Sequence, residues 1–248
     1  MANIVRDEGL ILRTRRFKDT SLFITFFGRH NGKLKLLARG ARRPKSAFGA
    51  SLEPFTQTKI IFYRRELKDI YSLSDTEIVN EYARIRNSPR KIVGAQAVCE
   101  FLDRATIHGP SQPRLYRLAL AALKTVQDSN SIEELRSAVY SFLLLGAGLL
   151  GFRPNLTNCV RCKKRATNIF SISYGGLVCN RAEDRDGMVI PSKMVSDLRR
   201  LYGLKEPLTD LDHLELVDRL VRNYLEYHIE GLHLDTLRFF DHRELVAL

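Results

Sequence analysis

The first eighty residues alternate between apolar and polar side chains in short stretches that are separated by turn residues. Such alternation in segments rich in β-branched and aromatic residues is typical of strands with one buried face. In the clearest stretch Leu34, Leu36 and Ala38 share one face, while the opposite face is mainly charged. Asn31 and Gly32, just before it, favour a tight hairpin turn. The pattern predicts five strands, at 9–15, 21–28, 33–39, 55–63 and 69–73.

From about Ser88 the apolar residues recur at helical spacing, which predicts helices through the middle of the chain. Ser131 and Glu134 form a capping box that opens a helix from 132 to about 150. Helical spacing stops between 155 and 190 and returns at 194–201 and 211–229. The apolar run within 142–152 is too short to span a bilayer and predicts a buried helix.

Together these segments predict an α+β fold with an N-terminal OB-fold β-barrel, followed by an α-helical domain with a zinc-ribbon-like insertion. An SH3-like barrel is the alternative for the strands. The predicted domains are 1–80 for the barrel, 81–154 for the helical domain, 155–190 for the insertion, and 191–248 for C-terminal helices that pack on the helical domain.

Positive charge is concentrated near the N-terminus. The chain has 40 Lys and Arg against 28 Asp and Glu, a net charge of +12. Residues 1–45 hold twelve basic and three acidic side chains, a net of +9. This concentration, with interleaved phenylalanines, predicts binding to a nucleic-acid backbone. The residues expected to contact phosphates are Arg13, Arg15, Arg16, Lys33, Lys35, Arg39, Arg42, Arg43 and Lys45.

Three of the four cysteines have the spacing of zinc ligands. Cys159 and Cys162 form a C-x2-C knuckle, and Cys179 follows after sixteen intervening residues. A second knuckle would place the fourth ligand at 182, which is Ala182. Either one structural zinc ion completes its shell with water or a carboxylate, or the loop has lost its metal. The carboxylates near enough in sequence are Glu183, Asp184 and Asp186.

Free thiols grouped in this way fit a reducing compartment, and Asp7 and Glu8 interrupt any signal peptide, so the cytoplasm is the expected location. No Walker loop, nucleophile elbow, H-E-x-x-H helix or G-x-G-x-x-G motif occurs, which predicts a protein that is not an enzyme. A zinc deaminase would need H-x-E ahead of the cysteines, but Gly109 and Pro110 follow His108. A zinc-dependent nucleic-acid enzyme and a basic adaptor for an acidic protein remain the alternatives.

Two longer motifs resemble a known family. The run LLARGARRPKS at 36–46, continuing to LEPF at 52–55, resembles the N-terminal stretch of the bacterial RecO family of DNA-repair and recombination-mediator proteins. The run LLGFRP at 149–154, leading into Cys159 and Cys162, is similar to a second RecO segment. The order and spacing of the predicted domains agree over nearly the whole chain, although Ala182 departs from the four-cysteine pattern.

The resemblance implies a protein that binds single- and double-stranded DNA, anneals complementary strands without nucleotide hydrolysis, and helps to load the recombinase RecA. RecR is the partner that it implies. It also implies that the helical domain docks the acidic C-terminal tail of single-stranded-DNA-binding protein. The basic residues between Arg84 and Arg136 offer a rim for such a tail. No membrane partner is expected, since a basic amphipathic helix is lacking.

Overall fold

The computed structural model describes residues 3–65, 68–180, 187–203 and 208–240. Contacts between residues divide the chain into two compact units, 1–127 and 128–248. The strands are β1 (Asn3–Phe17), β2 (Ser21–Gly28), β3 (Gly32–Ala38), β4 (Gln57–Arg64), β5 (Ile70–Asn80), β6 (Ile169–Ser171), β7 (Gly176–Val178) and β8 (Gly187–Val189). The helices are α1 (Ala83–Arg86), α2 (Pro89–Ala105), α3 (Pro113–Asp128), α4 (Ile132–Leu149), α5 (Ser192–Gly203) and α6 (Leu214–His228).

The five N-terminal strands close into a barrel in the order β1-β2-β3-β5-β4, with β4 returning to pair with β1. Only β3 and β5 run parallel, and the other neighbours are antiparallel. A small five-stranded barrel of this kind is an OB fold. The α+β prediction, with an OB-fold barrel ahead of the helices, is confirmed.

The barrel interior is filled by the apolar face of each strand. Within β3 it takes the three residues that alternation selected, Leu34, Leu36 and Ala38. A 3-10 turn at Gly49–Leu52, between β3 and β4, adds Leu52 to the same core. The cluster comprises Ile11, Ile24, Phe26, Leu34, Leu36, Ala38, Leu52, Ile60, Phe62 and Leu73.

Strand β1 is much longer than the predicted 9–15 because it pairs with two neighbours. Its first half, from Asn3 to Leu10, pairs with β4, and its second half, from Gly9 to Phe17, pairs with β2. The register shifts between Ile11 and Arg13, as at a β-bulge, where the strand passes from one partner to the other. This long strand is therefore what closes the barrel.

Helix α2 covers one end of the outer barrel surface. Leu10 on β1 pairs with Phe27 on β2. Their neighbours Ile11 and Phe26 face the barrel interior, so Leu10 and Phe27 point outward. Both are nevertheless fully buried. The thiol of Cys99, in the middle of α2, lies 3.9 Å from the carbonyl oxygen of Ile11. Cys99 is fully buried, as its position on an apolar helical stripe predicted, and burial raises the pKa of its thiol to about 12.

The second unit contains α4, α5, α6 and a small sheet in the order β7-β6-β8. The predicted cap of α4 is present, since the Ser131 hydroxyl accepts a 3.2 Å hydrogen bond from the backbone N–H of Glu134. The Glu134 carboxylate accepts its bond from the Asn130 N–H, at 2.7 Å, one residue earlier than a capping box requires. None of the described helices is both long and apolar enough to cross a membrane.

The contact-based units group the elements differently from the predicted four-segment division. Helices α1, α2 and most of α3 fall in the unit that contains the barrel, whereas α4 falls with the cysteine-bearing segment. The division at 80, 154 and 190 therefore stays a prediction about independent folding. Limited proteolysis can test it.

Candidate nucleic-acid interface and metal centre

The outer surface of β1, β2 and β3 that α2 leaves open carries basic side chains in cross-strand rows. Arg13, on β1, and Lys35, on β3, lie in one row with Thr25 between them. Arg15 lies in the next row, opposite Phe23. Because Ile24 and Leu36 point into the core, their sequence neighbours point outward. We call this surface, with Arg13, Arg15, Lys35, Phe17 and Phe23, the basic face.

Two aromatic rings lie among these cations. Phe17 and Phe23 are half-buried, and their ring centres are 4.2 Å apart. The ammonium group of Lys18 lies 5.6 Å from the centre of the Phe17 ring. Of the five phenylalanines interleaved with the basic residues up to Phe48, these two therefore form the accessible pair. The remaining three pack into or against the barrel's buried layers: Phe26, Phe27 and Phe48.

The loop after β3 extends the basic face. Gly40 adopts a left-handed backbone conformation with φ +69°, which lets the chain turn directly after the strand. Arg42 then ties the loop to the β1–β2 turn, donating from its backbone N–H to the Thr20 carbonyl and from its guanidinium to the Asp19 carbonyl, both at 2.9 Å. We call the exposed cations of this segment the basic loop: Arg39, Arg42, Arg43 and Lys45.

Lys33 is separated from the exposed cations by α2. Its side chain is 8% exposed, and its ammonium group donates to the Asp103 carbonyl and lies 3.8 Å from the Asp103 carboxylate. Burial lowers the pKa of Lys33 more than the attraction of Asp103 raises it. Arg13 also contacts Asp103, at 3.2 Å, but stays 46% exposed. Lys33 thus joins the barrel to α2 instead of facing solvent.

Arg16 lies in the row of Leu22 and Ala38, at the rim of the barrel, and is exposed. Among the residues that the structure describes, Arg13 alone of the exposed predicted set forms an ion pair. An unpaired cation can neutralise a phosphate without first breaking a contact with a carboxylate. The predicted residues that lie exposed are Arg13, Arg15, Arg16, Lys35, Arg39, Arg42, Arg43 and Lys45.

The three predicted cysteine ligands come together, which confirms that part of the sequence analysis. The sulfur atoms of Cys159, Cys162 and Cys179 lie within 4.8 Å of one another, and those of Cys162 and Cys179 are 3.8 Å apart. In a tetrahedral thiolate shell with Zn–S near 2.3 Å, neighbouring sulfurs are about 3.8 Å apart. The donor set therefore fits zinc on three corners. Ala182, Glu183, Asp184 and Asp186 lie outside the described residues.

Strand pairing holds the cysteines in place. Lys163 donates to the Cys159 carbonyl, and Cys159 donates to the Lys164 carbonyl, both at 2.9 Å, which closes the knuckle. The predicted turn at Gly175 and Gly176 joins β6 to β7 and returns the chain to Cys179. A Cβ atom at Gly176 would lie 2.3 Å from the Asn155 carbonyl oxygen, so a larger residue would displace this turn.

The knuckle favours an ionised sulfur at Cys159 but not at Cys162. Backbone N–H groups, first that of Cys162 and then those of Cys179 and Arg161, lower the pKa of Cys159 to about 6. The N–H of Lys164 lowers the pKa of Cys162, but the sulfurs of Cys159 and Cys179, together with desolvation, outweigh it, and the net shift is upward. A divalent cation would relieve this repulsion, because metal binding displaces the thiol protons.

Comparison with known proteins covers both parts of the chain. The family model described as recombination protein O N terminal matches residues 1–82, and the one described as recombination protein O C terminal matches residues 86–238. Proteins named DNA repair protein RecO are similar to this chain in Bifidobacterium animalis subsp. lactis (30% identical over 92% of this chain and 95% of the relative) and in Bacillus subtilis (29%, over 97% and 95%). Another, from Alkaliphilus metalliredigens, is 24% identical over 94% of this chain and 97% of its own length. The barrel with its basic face and the helical segment with its cysteine cluster are thus matched in turn, and the chain belongs to the RecO family.

Proposed function

We propose that this chain is a non-catalytic recombination mediator in DNA repair, which binds single- and double-stranded DNA through the basic face and the basic loop. The observation that carries the proposal is the group of exposed cations around the Phe17–Phe23 pair, on the part of the barrel that α2 leaves open. Single-strand-binding surfaces combine a positive groove with aromatic rings on which bases stack. The names of the similar proteins support a role in DNA repair.

The surface favours binding that does not depend on sequence. Arginine and lysine side chains on strands and in a loop contact phosphates, whereas base readout requires side chains placed in a groove. Neutralising phosphates on two strands lowers their mutual repulsion and raises their local concentration. Complementary strands can then pair without nucleotide hydrolysis, which is the activity that we assign to the basic face and the basic loop.

Titration of fluorescent single-stranded oligonucleotides against salt tests the proposal. We expect similar affinity for unrelated sequences and a steep linear fall of log K with log salt, about 0.7 per phosphate contacted. We also expect faster annealing of complementary strands in the absence of ATP. Affinity that ignores salt, or binding of one sequence only, would contradict a phosphate-reading surface. Tight binding of an acidic protein without DNA binding would instead support the adaptor function.

We further propose that the chain acts with RecR, assists the loading of RecA, and works in the cytoplasm at the nucleoid. The tail of single-stranded-DNA-binding protein is acidic and apolar, so its docking site needs cations beside apolar surface. Helix α3 offers three exposed cations at spacings of three and seven residues, on one helical face: Arg114, Arg117 and Lys124. Arg136 does not contribute, because it is buried and donates to the Phe240 carbonyl.

Replacing Arg114, Arg117 and Lys124 together by alanine is expected to weaken binding of a synthetic tail peptide at least about tenfold, as for the loss of two or three rim ion pairs. Isothermal titration calorimetry on the full chain measures this loss. A peptide with its acids replaced by amides is the control and should bind neither protein. Equal binding of the acidic peptide by the variant and the original chain would place the docking site elsewhere.

We assign a structural role to zinc at Cys159, Cys162 and Cys179. When bound, the ion supplies a fixed crosslink between the knuckle and β7. The described part of this cluster contains thiols and neither imidazole nor carboxylate. A zinc-dependent nuclease or deaminase needs a general base beside the metal, and the three thiols cannot act as one while they ligate it. Among the described residues, the cluster therefore fits a structural ion better than a catalytic one.

A further inference from the structure

We propose that the second compact unit carries its own contact for a single nucleic-acid strand, next to the cysteine cluster. The contact consists of Arg161, Lys164, Arg165 and Tyr174, which we call the knuckle patch. The basic face and the basic loop belong to the first unit, so this contact is additional to them. The inference rests on the proposed DNA-binding function only in that it assigns the same ligand class to a second surface.

The first observation is an open, concave surface lined by cations. Arg161, Lys164 and Arg165 line a pocket of about 700 Å³ together with Cys162, Thr167, Cys179 and Asn180. All three cations are exposed, and no acidic residue in the described parts of the chain pairs with them. A concave surface with three exposed cations favours a polyanion over a single carboxylate.

The second observation is an aromatic ring beside these cations. Tyr174 is 39% exposed, and the guanidinium carbon of Arg161 lies 5.3 Å from the centre of its ring. Arginine stacked on an aromatic ring keeps its donors directed outward along the plane of the guanidinium. The free part of the ring is available to a nucleobase. Phosphate-binding cations beside a base-stacking ring are the elements of a single-strand site, whereas an acidic peptide would use only the cations.

The third observation is that the backbone presenting these side chains is ordered by hydrogen bonds. An isolated antiparallel β-bridge pairs the backbone of Arg165 with that of Asn158. The Lys164 carbonyl accepts a hydrogen bond from the Cys159 N–H at 2.9 Å. Tyr174 donates its backbone N–H to the Ser171 hydroxyl at 3.2 Å, within the turn after β6. A fixed backbone lowers the entropy that binding must remove, so the patch does not need to fold when the strand arrives.

The test uses the full chain, a fluorescent oligothymidylate and the triple variant R161A/K164A/R165A. We expect the slope of log K against log salt to fall by about 2, since each phosphate contact on a single strand contributes about 0.7. The matched control is R219A/R222A/R238A, which removes the same charge from the same unit. Arg222 and Arg238 already lie beside the carboxylates of Asp218 and Asp235, respectively. Arg219 lies beside the sulfur of Met188. The control should keep the original slope.

The original chain can also be photocrosslinked to an oligonucleotide that contains bromodeoxyuridine, and the crosslinked peptide can then be mapped. This readout does not depend on whether the variants fold. We expect a crosslink at Tyr174. Equal loss of slope in the triple variant and its control would overturn the proposal, because binding would then follow net charge. Full retention of slope in the triple variant without a Tyr174 crosslink would overturn it and leave the proposed function standing. If the original chain binds no oligonucleotide, both fail, and preference for an acidic decapeptide would assign the patch to a protein.

Discussion

Charge reversal at three positions of the basic loop, R39E/R42E/R43E, is expected to remove most of the salt-sensitive affinity for single-stranded DNA. These arginines are exposed and belong to the loop that Arg42 anchors at the β1–β2 turn, beside the Phe17–Phe23 pair. Losing three phosphate contacts should flatten the slope of log K against log salt by about 2. New repulsion adds to this loss, so affinity at low salt should fall roughly 100-fold or more.

The matched control is R39K/R42K/R43K, which keeps each charge and changes only the geometry of the donor group. Since phosphate contacts depend mainly on charge, the lysine variant should keep a slope close to that of the original chain. Fluorescence anisotropy with two unrelated oligonucleotides measures both variants. If the glutamate variant keeps its slope, DNA does not bind at the basic loop. If the lysine variant loses as much as the glutamate variant, recognition depends on bidentate arginine geometry and not on charge.

The barrel could be predicted from the sequence wherever a strand separates a buried face from a solvated one. In β3 the two-residue period alone selected the three residues that enter the core. The same signal is missing from the second half of β5, where residues 74–80 are mostly exposed and include Asp75 and Glu77, although the strand continues to Asn80. Backbone pairing with β4 holds that half. Hydrogen bonds between backbones leave no pattern in the side chains, so the strand was predicted to end at 73.

The basic face shows what alternation can and cannot predict about a site. Alternation correctly placed Lys33 on the outer surface of the barrel, on the other face of β3 from Leu34. It did not predict that α2 covers Lys33. Whether an outward-pointing residue is exposed to solvent depends on elements that are distant in sequence. Lys33 is covered by α2, in which Asp103, about seventy residues later, accepts its hydrogen bond. Leu10 and Phe27, apolar on the same outer face, were the available signal that this end of the barrel is covered.

The cysteine cluster was predictable because its chemistry is encoded locally. A C-x2-C knuckle and a glycine turn position three sulfurs through backbone geometry within about twenty residues. Tyr174 was not selected, since one tyrosine next to a turn carries no periodic signal. Its significance comes from Arg161, thirteen positions earlier, which the pairing of short strands brings against its ring. Local motifs can therefore be identified from sequence, but contacts between them cannot.

Purified without chelator, the chain is expected to contain one zinc ion bound by three sulfurs and one oxygen. Three thiolates come from Cys159, Cys162 and Cys179, and no histidine occurs between 155 and 191. The fourth thiol of the chain is unsuitable, because Cys99 is buried in α2 and its pKa is raised to about 12. Elemental analysis gives the stoichiometry, and X-ray absorption at the zinc edge distinguishes three sulfur neighbours from four.

The substitution Ala182→Cys, which supplies a fourth thiol, is expected to tighten zinc binding by roughly 100-fold, since four thiolates complete the tetrahedral shell. Competition with a chromophoric chelator measures the change. Cys162→Ser should lose the ion, whereas Cys99→Ala, which removes a thiol outside the cluster, should bind zinc as the original chain does. Unchanged affinity in A182C, with zinc bound, would mean that residue 182 does not reach the metal. Absence of zinc from both proteins would show that this family member keeps the knuckle without its ion, and that backbone pairing alone orders the segment.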